Sequence, residues 1–564
     1  MSLSLQNKRT LLFWLFPLAV WAVATGFYGF QLGKYSDDWS QSLINPETQH
    51  ADAAMHPWVR WPFFFRPLYF VVVWAINTAF WERDWARHLI AALAHLGVGV
   101  CLYRLLRRVG LNRPASIVPV AVHLSCPLHQ EAVLWVAAIG IPIGTALYLL
   151  AAERVVALAR QIPDGRPWGR LTSISLLIFA AACFHEQPAA GAAALPALYL
   201  ACCLPDQRAP VRIRRAMLTG AFAGGACLLY TALITLTAPA GRRGSMASLV
   251  KGSDASQRAA GFVREVERWL IGDHARDAVV DAAARGSRIA AESWVSLGFG
   301  ALLLGGLAAW VVVFPSAWSR TLGHWTVRRT PWLLVFACVL SVASMAPVAM
   351  TAGNGVYSRY VYVLTLGIPI VAACAIDLLP ALRMPRIARA APPIAIALGA
   401  GIVSVWGAAA MISWQRDCAV RAAIDREIGE QLRTLVPDPN KGAVIVPISI
   451  APARRLARPL EHAIPGVLER PFADWAFVQH LYGRSDIAAT HCRAGEPAPL
   501  RVTSEGLAYV YPDGGARGIA DQWGRAVRSN LIPWERAVPI EIDAEGRVHL
   551  LLRAEVEQCL RDRR

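Results

Sequence analysis

Four stretches of the chain set ionisable side chains beside one another at the edges of apolar runs. Asp37 and Asp38 stand in Tyr35-Ser36-Asp37-Asp38-Trp39, and His129 and Glu131 in Pro127-Leu128-His129-Gln130-Glu131. His185 and Glu186 stand in Phe184-His185-Glu186-Gln187-Pro188, and Arg359 in Tyr357-Ser358-Arg359-Tyr360. Carboxylates and imidazoles are the side chains that move protons in catalysis, and carboxylate oxygens also hold hard cations. Neighbours on an extended chain point apart, so one of Asp37 and Asp38 faces a given reacting atom while the other orients it or helps hold a cation. His129 and Glu131, two apart, share a side where the turn after Pro127 is extended. His185 and Glu186 cannot share one helix face, and Pro188 biases Gln187 away from helix and opens the turn.

Singly, each has a plainer reading. A paired Asp caps a helix or sits in a solvated loop, a lone His hydrogen-bonds at an interface, Glu186 pairs with Arg359, and Arg66 anchors an interfacial helix. The joint placement of these groups on one face argues for a site.

The elements that must position them are read from apolar runs. A helix needs about 20 mostly apolar residues to cross the hydrocarbon layer. Such runs are Leu11–Phe30, Trp85–Leu106, Ala115–Cys126, Ala132–Leu158, Leu171–Cys183, Ala189–Leu204, Met217–Leu236, Trp294–Phe314, Trp332–Met350, Val356–Leu379 and Pro393–Trp414. They predict an all-α polytopic membrane protein of about 11 spans. Positive charge sets the sides. Lys8 and Arg9, then the groups at Arg104, Arg154, Arg208, Arg320 and Arg383, recur after every second crossing, while Pro127–Glu131, Glu186–Pro188 and Thr351–Val356 hold no Lys or Arg. The N-terminus is therefore expected in the cytoplasm and the C-terminal segment outside. Counting Trp61–Trp81 as a span would invert every later loop, so it reads as an amphipathic or re-entrant helix at the outer interface. The first run is a retained anchor, since it continues past Ala24 through Phe30.

Composition excludes a purely cytosolic enzyme. Of 564 residues 55% are apolar and 17% charged, against about 45–50% and about 25% in soluble domains; mean hydropathy is +0.39. The 56 basic and 39 acidic residues leave +17, which in so apolar a chain reads as membrane topology; no nucleic-acid module is seen. The 21 Trp suit interfacial belts and sugar-stacking platforms. Eleven scattered Cys make no disulfide scaffold, and pairing among Cys418, Cys492 and Cys559 stays open.

Residues 1–414 form the transmembrane region, with external loops at 31–84 and 238–291; Val263, Val266, Trp269 and Leu270 in the second loop fall at helical spacing. From residue 415 the composition becomes that of a soluble α/β or α+β domain, 415–564. Asp417–Leu435 reads as a helix; Ala443–Ile450, Leu507–Tyr511, Val538–Ile542 and Val548–Leu552 read as strands, the last two joined by Asp543-Ala544-Glu545-Gly546.

The sequence resembles the membrane-embedded glycosyltransferases of the GT-C superfamily, and more closely the transmembrane half of the tetratricopeptide-repeat O-mannosyltransferases and their bacterial relatives. Tyr35 to Asp38, Arg66-Pro67-Leu68, His88-Leu89, Pro127-x-His129-x-Glu131-Ala132-Val133 followed by Trp135, and Glu186-Gln187 carry the likeness over roughly residues 30–200, with a weaker echo at Arg359-Tyr360. His185 departs from the Lys usual before that Glu, and no tetratricopeptide repeats follow.

The resemblance implies transfer of a sugar from a polyprenyl-phosphate donor to an acceptor hydroxyl on a cell-envelope glycan, lipid or protein, at the periplasmic face of a bacterial inner membrane. Asp37 would be the general base with Asp38 beside it, and Glu131 and Glu186 would hold the acceptor or a divalent cation. Arg359 and His185, then Arg66, would stabilise the leaving phosphate, with His129 and Tyr360 as further substrate contacts. Oxygen ligands such as Asp38 and Glu131 suit Mg²⁺ or Mn²⁺, but superfamily members also work without metal, so no cofactor is fixed. Displacement in one step would invert the anomeric centre. A transporter or flippase of lipid-linked sugars would use the same groups as a binding site, although no inverted repeat is visible. A non-catalytic scaffold for envelope assembly explains the C-terminal domain but not the polar turns.

Overall fold

A computed structural model of the chain describes residues 5–26, 32, 66–80, 83–161, 167–204, 207–237, 301, 303–308, 310, 324–351, 361–378, 391–452, 467–469, 473–484, 486–490, 492, 495, 500–509 and 531–562. Asp37, Asp38, Arg359, Tyr360, the expected helix around Trp269 and most of the run Trp294–Phe314 lie outside them. The chain is mostly helical, with small sheets near its C-terminus. Among the described residues, four helices are long and apolar enough to cross a membrane: Asp84–Val109, Val136–Ala159, Ala209–Leu236 and Pro393–Leu435. Shorter apolar helices are Leu12–Gly26, Pro67–Phe80, Trp168–Phe184, Arg329–Ser344 and Tyr362–Leu378.

Three sequence readings need correction. The run Ala132–Leu158 is not one helix: a short turn of helix, Gln130–Leu134, stops at Trp135, whose extended backbone precedes Val136–Ala138 and the α-helix Gly140–Ala159. The run Ala189–Leu204 is likewise divided into Glu186–Ala190, Gly191–Ala194 and Leu195–Cys202. Helix Pro67–Phe80 is apolar around its whole circumference apart from Asn77 and Thr78, so of the two forms expected for Trp61–Trp81 the amphipathic one does not fit; residues 61–65 and 81 lie outside the described residues.

The chain divides into two compact units; the first comprises residues 1–29, 61–70 and 88–414. Helix Gly140–Ala159 is central to it, with 14 of its 20 residues buried. Glycine allows its first turn to come close to the preceding and following segments. A methyl at Gly140 would lie 2.7 Å from the Phe184 carbonyl oxygen and 2.8 Å from the Tyr69 ring. Tyr69 also donates its hydroxyl to the Ala137 carbonyl at 2.6 Å. Near the other end, buried Glu153 receives Arg104 at 3.1 Å and Arg108 at 3.2 Å. Arg160 and Arg329 both donate to the Val109 carbonyl. At about 1.5 Å per residue, those 20 residues separate the two ends by about 30 Å.

Helix Arg113–Leu124 is short but well started. Asn112 accepts the Ala115 amide at 2.8 Å as its cap, and Pro114 stands in the first turn, where its missing N–H is not needed. Large apolar side chains such as Leu228, Leu236, Val342 and Ile402 remain exposed on the apolar helices, as expected of surfaces that meet lipid rather than water.

The second unit comprises residues 30–60, 71–87 and 415–564. Its larger sheet has the order β2-β1-β6-β7, formed by β1 Val444–Ile450, β2 Ala488–Ala489, β6 Ala537–Ile542 and β7 Val548–Leu550. β1 is parallel to β2 and β6, while β6 and β7 are antiparallel. All seven residues of β1 are buried, which is why its sequence, Ser449 apart, is apolar throughout rather than alternating. The register of β1 slips between Pro447 and Ser449, where proline supplies no ladder N–H. A smaller antiparallel sheet joins β3 Leu500–Val502, β4 Gly506–Tyr509 and β5 Leu531–Pro533. Asp543 closes the β6–β7 turn by accepting the amides of Glu545 at 3.0 Å and Arg547 at 2.9 Å.

The helix expected at Asp417–Leu435 is the end of a single helix, Ala391–Leu435, that also contains the last apolar run. Ile424, Ile428 and Leu432, one turn apart, enter the core of this unit. All eleven cysteines are thiols, Cys418, Cys492 and Cys559 among them.

Candidate functional site

Two polar clusters form within the first unit. In the first, Arg66, just before helix Pro67–Phe80, meets Glu186, the first residue of helix Glu186–Ala190. Arg66 Nε donates to Glu186 Oε1 at 3.1 Å and Oε2 at 3.0 Å, and Nη2 donates to Oε2 at 2.7 Å. The Tyr230 hydroxyl donates to Oε1 at 3.3 Å from helix Ala209–Thr237. The forked guanidinium matches the two carboxylate oxygens, the geometry in which Arg differs most from Lys. Both partners keep about a third of their side-chain surface exposed, at 32% and 28%, so the pair sits at the edge of the packed interior.

Burial by itself would raise the Glu186 carboxyl. The charge of Arg66, then that of His185, and the hydrogen bonds it accepts outweigh burial and hold it at about 2. His185 contributes in two ways that compete. Its Nδ1 accepts the Gln187 amide at 3.3 Å, which requires the nitrogen to be unprotonated there. The same Nδ1 lies 3.8 Å from Glu186 Oε2, a charge pair only once the ring is protonated. We take the amide contact as the resting state, because it caps the helix and meets hydrogen-bond distance.

This cluster amends the sequence reading in two respects. Glu186 pairs with Arg66, a partner the plain reading did not name, while Arg359, the partner it did name, lies outside the described residues. Gln187 is helical: His185 is extended as the cap and Pro188 falls within the first turn, where a helix tolerates it. Tyr230 was missed, since a single Tyr in an apolar run carries no signal of its own.

The second cluster collects three histidines. His95 lies on helix Asp84–Val109, His123 near the end of helix Arg113–Leu124, and His129 in the 3-10 turn Pro127–His129. All are buried, with His95 and His129 at 0% and His123 at 1% exposure. Their ring centroids lie 4.5 to 5.7 Å apart, and the Tyr362 ring packs against all three. His95 Nδ1 is 2.7 Å from the Tyr362 hydroxyl and its Nε2 is 3.4 Å from the Leu124 carbonyl. His129 Nδ1 donates to the His123 carbonyl at 3.0 Å, and its Nε2 meets the Thr365 hydroxyl at 2.6 Å. Neither ring nitrogen of His123 has a hydrogen-bond partner among the described residues. Leaving a buried polar group so costs about 1–3 kcal/mol.

His129 therefore turns inward, away from any shared side with Glu131. The turn that carries both is helical rather than extended, so residues two apart diverge. Glu131 lies in the first turn of Gln130–Leu134. Asp38, its expected companion in holding Mg²⁺ or Mn²⁺, is outside the described residues. His95, His123, Tyr362 and Thr365 were missed. The signal was available as ionisable residues inside apolar runs, which are rare there and usually face one another or a ligand.

Of the residues read from the sequence as a site, the structure brings Arg66, His185 and Glu186 together. It places His129 in the histidine cluster. Compared with known proteins, the chain matches no family model and no curated protein.

Proposed function

We propose that the chain is an integral membrane glycosyltransferase that moves a sugar from a polyprenyl-phosphate-linked donor to an acceptor hydroxyl at the periplasmic face. One observation carries this reading: the Arg66–Glu186 pair adjoins the start of helix Gly140–Ala159, through Tyr69 and Phe184, while Arg160, which follows its last residue, and Arg329 gather at the other end on the Val109 carbonyl. The separation of about 30 Å equals the thickness of a hydrocarbon layer. A cationic end and a mixed acidic and basic end so spaced suit a protein whose chemistry is confined to one membrane face.

The roles follow from acid–base strength. A carboxylate held at about 2 is a weak proton acceptor near neutral pH, so Glu186 orients Arg66 rather than activating the acceptor. The general base is assigned to Asp37, with Asp38 orienting it. Arg66, aimed by Glu186, is assigned to the donor phosphate, where charge grows as the glycosidic bond breaks. Arg359 and His185 join it, with Tyr360 contacting the substrate. The about 11 spans, the external C-terminal domain and a bacterial inner membrane belong to the same proposal.

The test is purified protein in detergent with a radiolabelled polyprenyl-phosphate sugar and an envelope-derived acceptor fraction. Release of lipid phosphate with label passing to acceptor is the expected result. Translocation of the labelled lipid across vesicles without release would instead establish a transporter. Asp37→Asn is expected to abolish transfer with expression and membrane insertion intact, and wild-type activity in that variant would remove the proposed base.

A further inference from the structure

The geometry points to a buried transition-metal site, with Zn²⁺ as the fitting ion, formed by His95, His123 and His129. It is independent of the transferase reading. One nitrogen from each ring lies within 4.8 Å of the others. Zn²⁺ holds imidazole nitrogens at about 2.0–2.1 Å, so tetrahedral binding would bring these atoms to roughly 3.4 Å from one another, a matter of side-chain rotation.

The donor set selects the metal. Neutral imidazoles suit Zn²⁺ and its first-row neighbours, whereas Mg²⁺ and Ca²⁺ require oxygen. His123 offers a ring with no competing hydrogen bond on either nitrogen among the described residues. His129 donates Nδ1–H to the His123 carbonyl, the outer contact that fixes the tautomer and turns Nε2 toward a ligand position. At that position Nε2 now meets the Thr365 hydroxyl, which would rotate to keep its bond to the Tyr362 carbonyl. His95 has the corresponding pair of contacts, a carbonyl at Nε2 and the Tyr362 hydroxyl at Nδ1.

Three neutral ligands leave the full charge of the ion in an apolar interior. Tyr362 answers this: its oxygen lies beside the His95 ligand nitrogen, and coordination would release its proton to solvent and leave a phenolate on the metal. The site is fully enclosed, so its role is structural. It ties helix Asp84–Val109, helix Arg113–Leu124, the Pro127–His129 turn and the Val361–Leu364 segment at one point.

The experiment uses full-length protein purified without a histidine tag, stripped with a chelator and then given Zn²⁺ or Co²⁺. Expected are about one metal per chain by mass spectrometry of the elements, the visible bands of tetrahedral Co²⁺, and a melting temperature that rises when Zn²⁺ returns. His123→Ala and His123→Gln should lower bound metal by roughly tenfold or more, while His185→Ala should retain it. Should the His123 variants fail to fold, the Co²⁺ spectrum and the chelator response of the unaltered protein decide. Wild-type protein that takes up neither ion and melts unchanged would overturn the site, as would His123 variants that bind metal undiminished.

Discussion

At Glu186 burial and charge act on one carboxyl in opposite directions, and charge prevails. An ordinary Glu titrates at 4.5 and this one at about 2. The folded state therefore gains stability from the ionised pair that is fully present above pH 4.5 and is lost as the pH falls toward 2. Glu186→Gln should cost about 1–2 kcal/mol at neutral pH, between the values typical of exposed and of buried pairs. The difference in melting temperature between that variant and wild type should shrink as the pH falls below 4.5; a constant gap would mean the pair contributes nothing. The sequence exposed Arg66 and Glu186 as interesting but not as partners, since Arg359 was an equal candidate cation. His95 and His123 were obscured for another reason. Each stands between apolar neighbours with no second ionisable group beside it, and Tyr362, which touches both, lies 267 residues beyond His95.

Among elements, the start of helix Gly140–Ala159 is the most constrained contact around the Arg66–Glu186 pair. Gly140→Ala would drive a methyl into the Phe184 carbonyl, two residues before Glu186, and backbone cannot yield as a side chain can. It should destabilise the protein by about 1–3 kcal/mol. Gly224→Ala, on helix Ala209–Thr237 with nothing within 4 Å of the new methyl, should be neutral or stabilising by up to about 1 kcal/mol. Thermal denaturation of both variants in one detergent checks the contrast, and equal effects would refute it. Strands β1, β4, β6 and β7 were legible, because apolar runs end at recognisable turns such as Asp543 to Gly546. The interruption at Trp135 was not: Leu134 to Ile139 are uniformly apolar, with no Gly or Pro before Gly140, and tertiary packing breaks the helix where composition would continue it.

For the molecule as a whole, the charge alternation of the loops predicts opposite fates for the two termini. Alkaline phosphatase fused after Arg564 should be active in a bacterial host, and a fluorescent protein at the same place dark. The reverse pattern would move the C-terminal domain inside and end the external acceptor reading. Finally, the Arg66–Glu186 contact joins residues 120 apart. A ribosome adding about 5–20 residues per second needs roughly 6–24 s to cover that interval. Throughout it the newborn guanidinium must keep its charge in water, among headgroups or against the insertion machinery until its carboxylate arrives. Closure of this contact is thus timed by translation, and a stall before codon 186 would hold Arg66 back from its carboxylate for as long as the stall lasts.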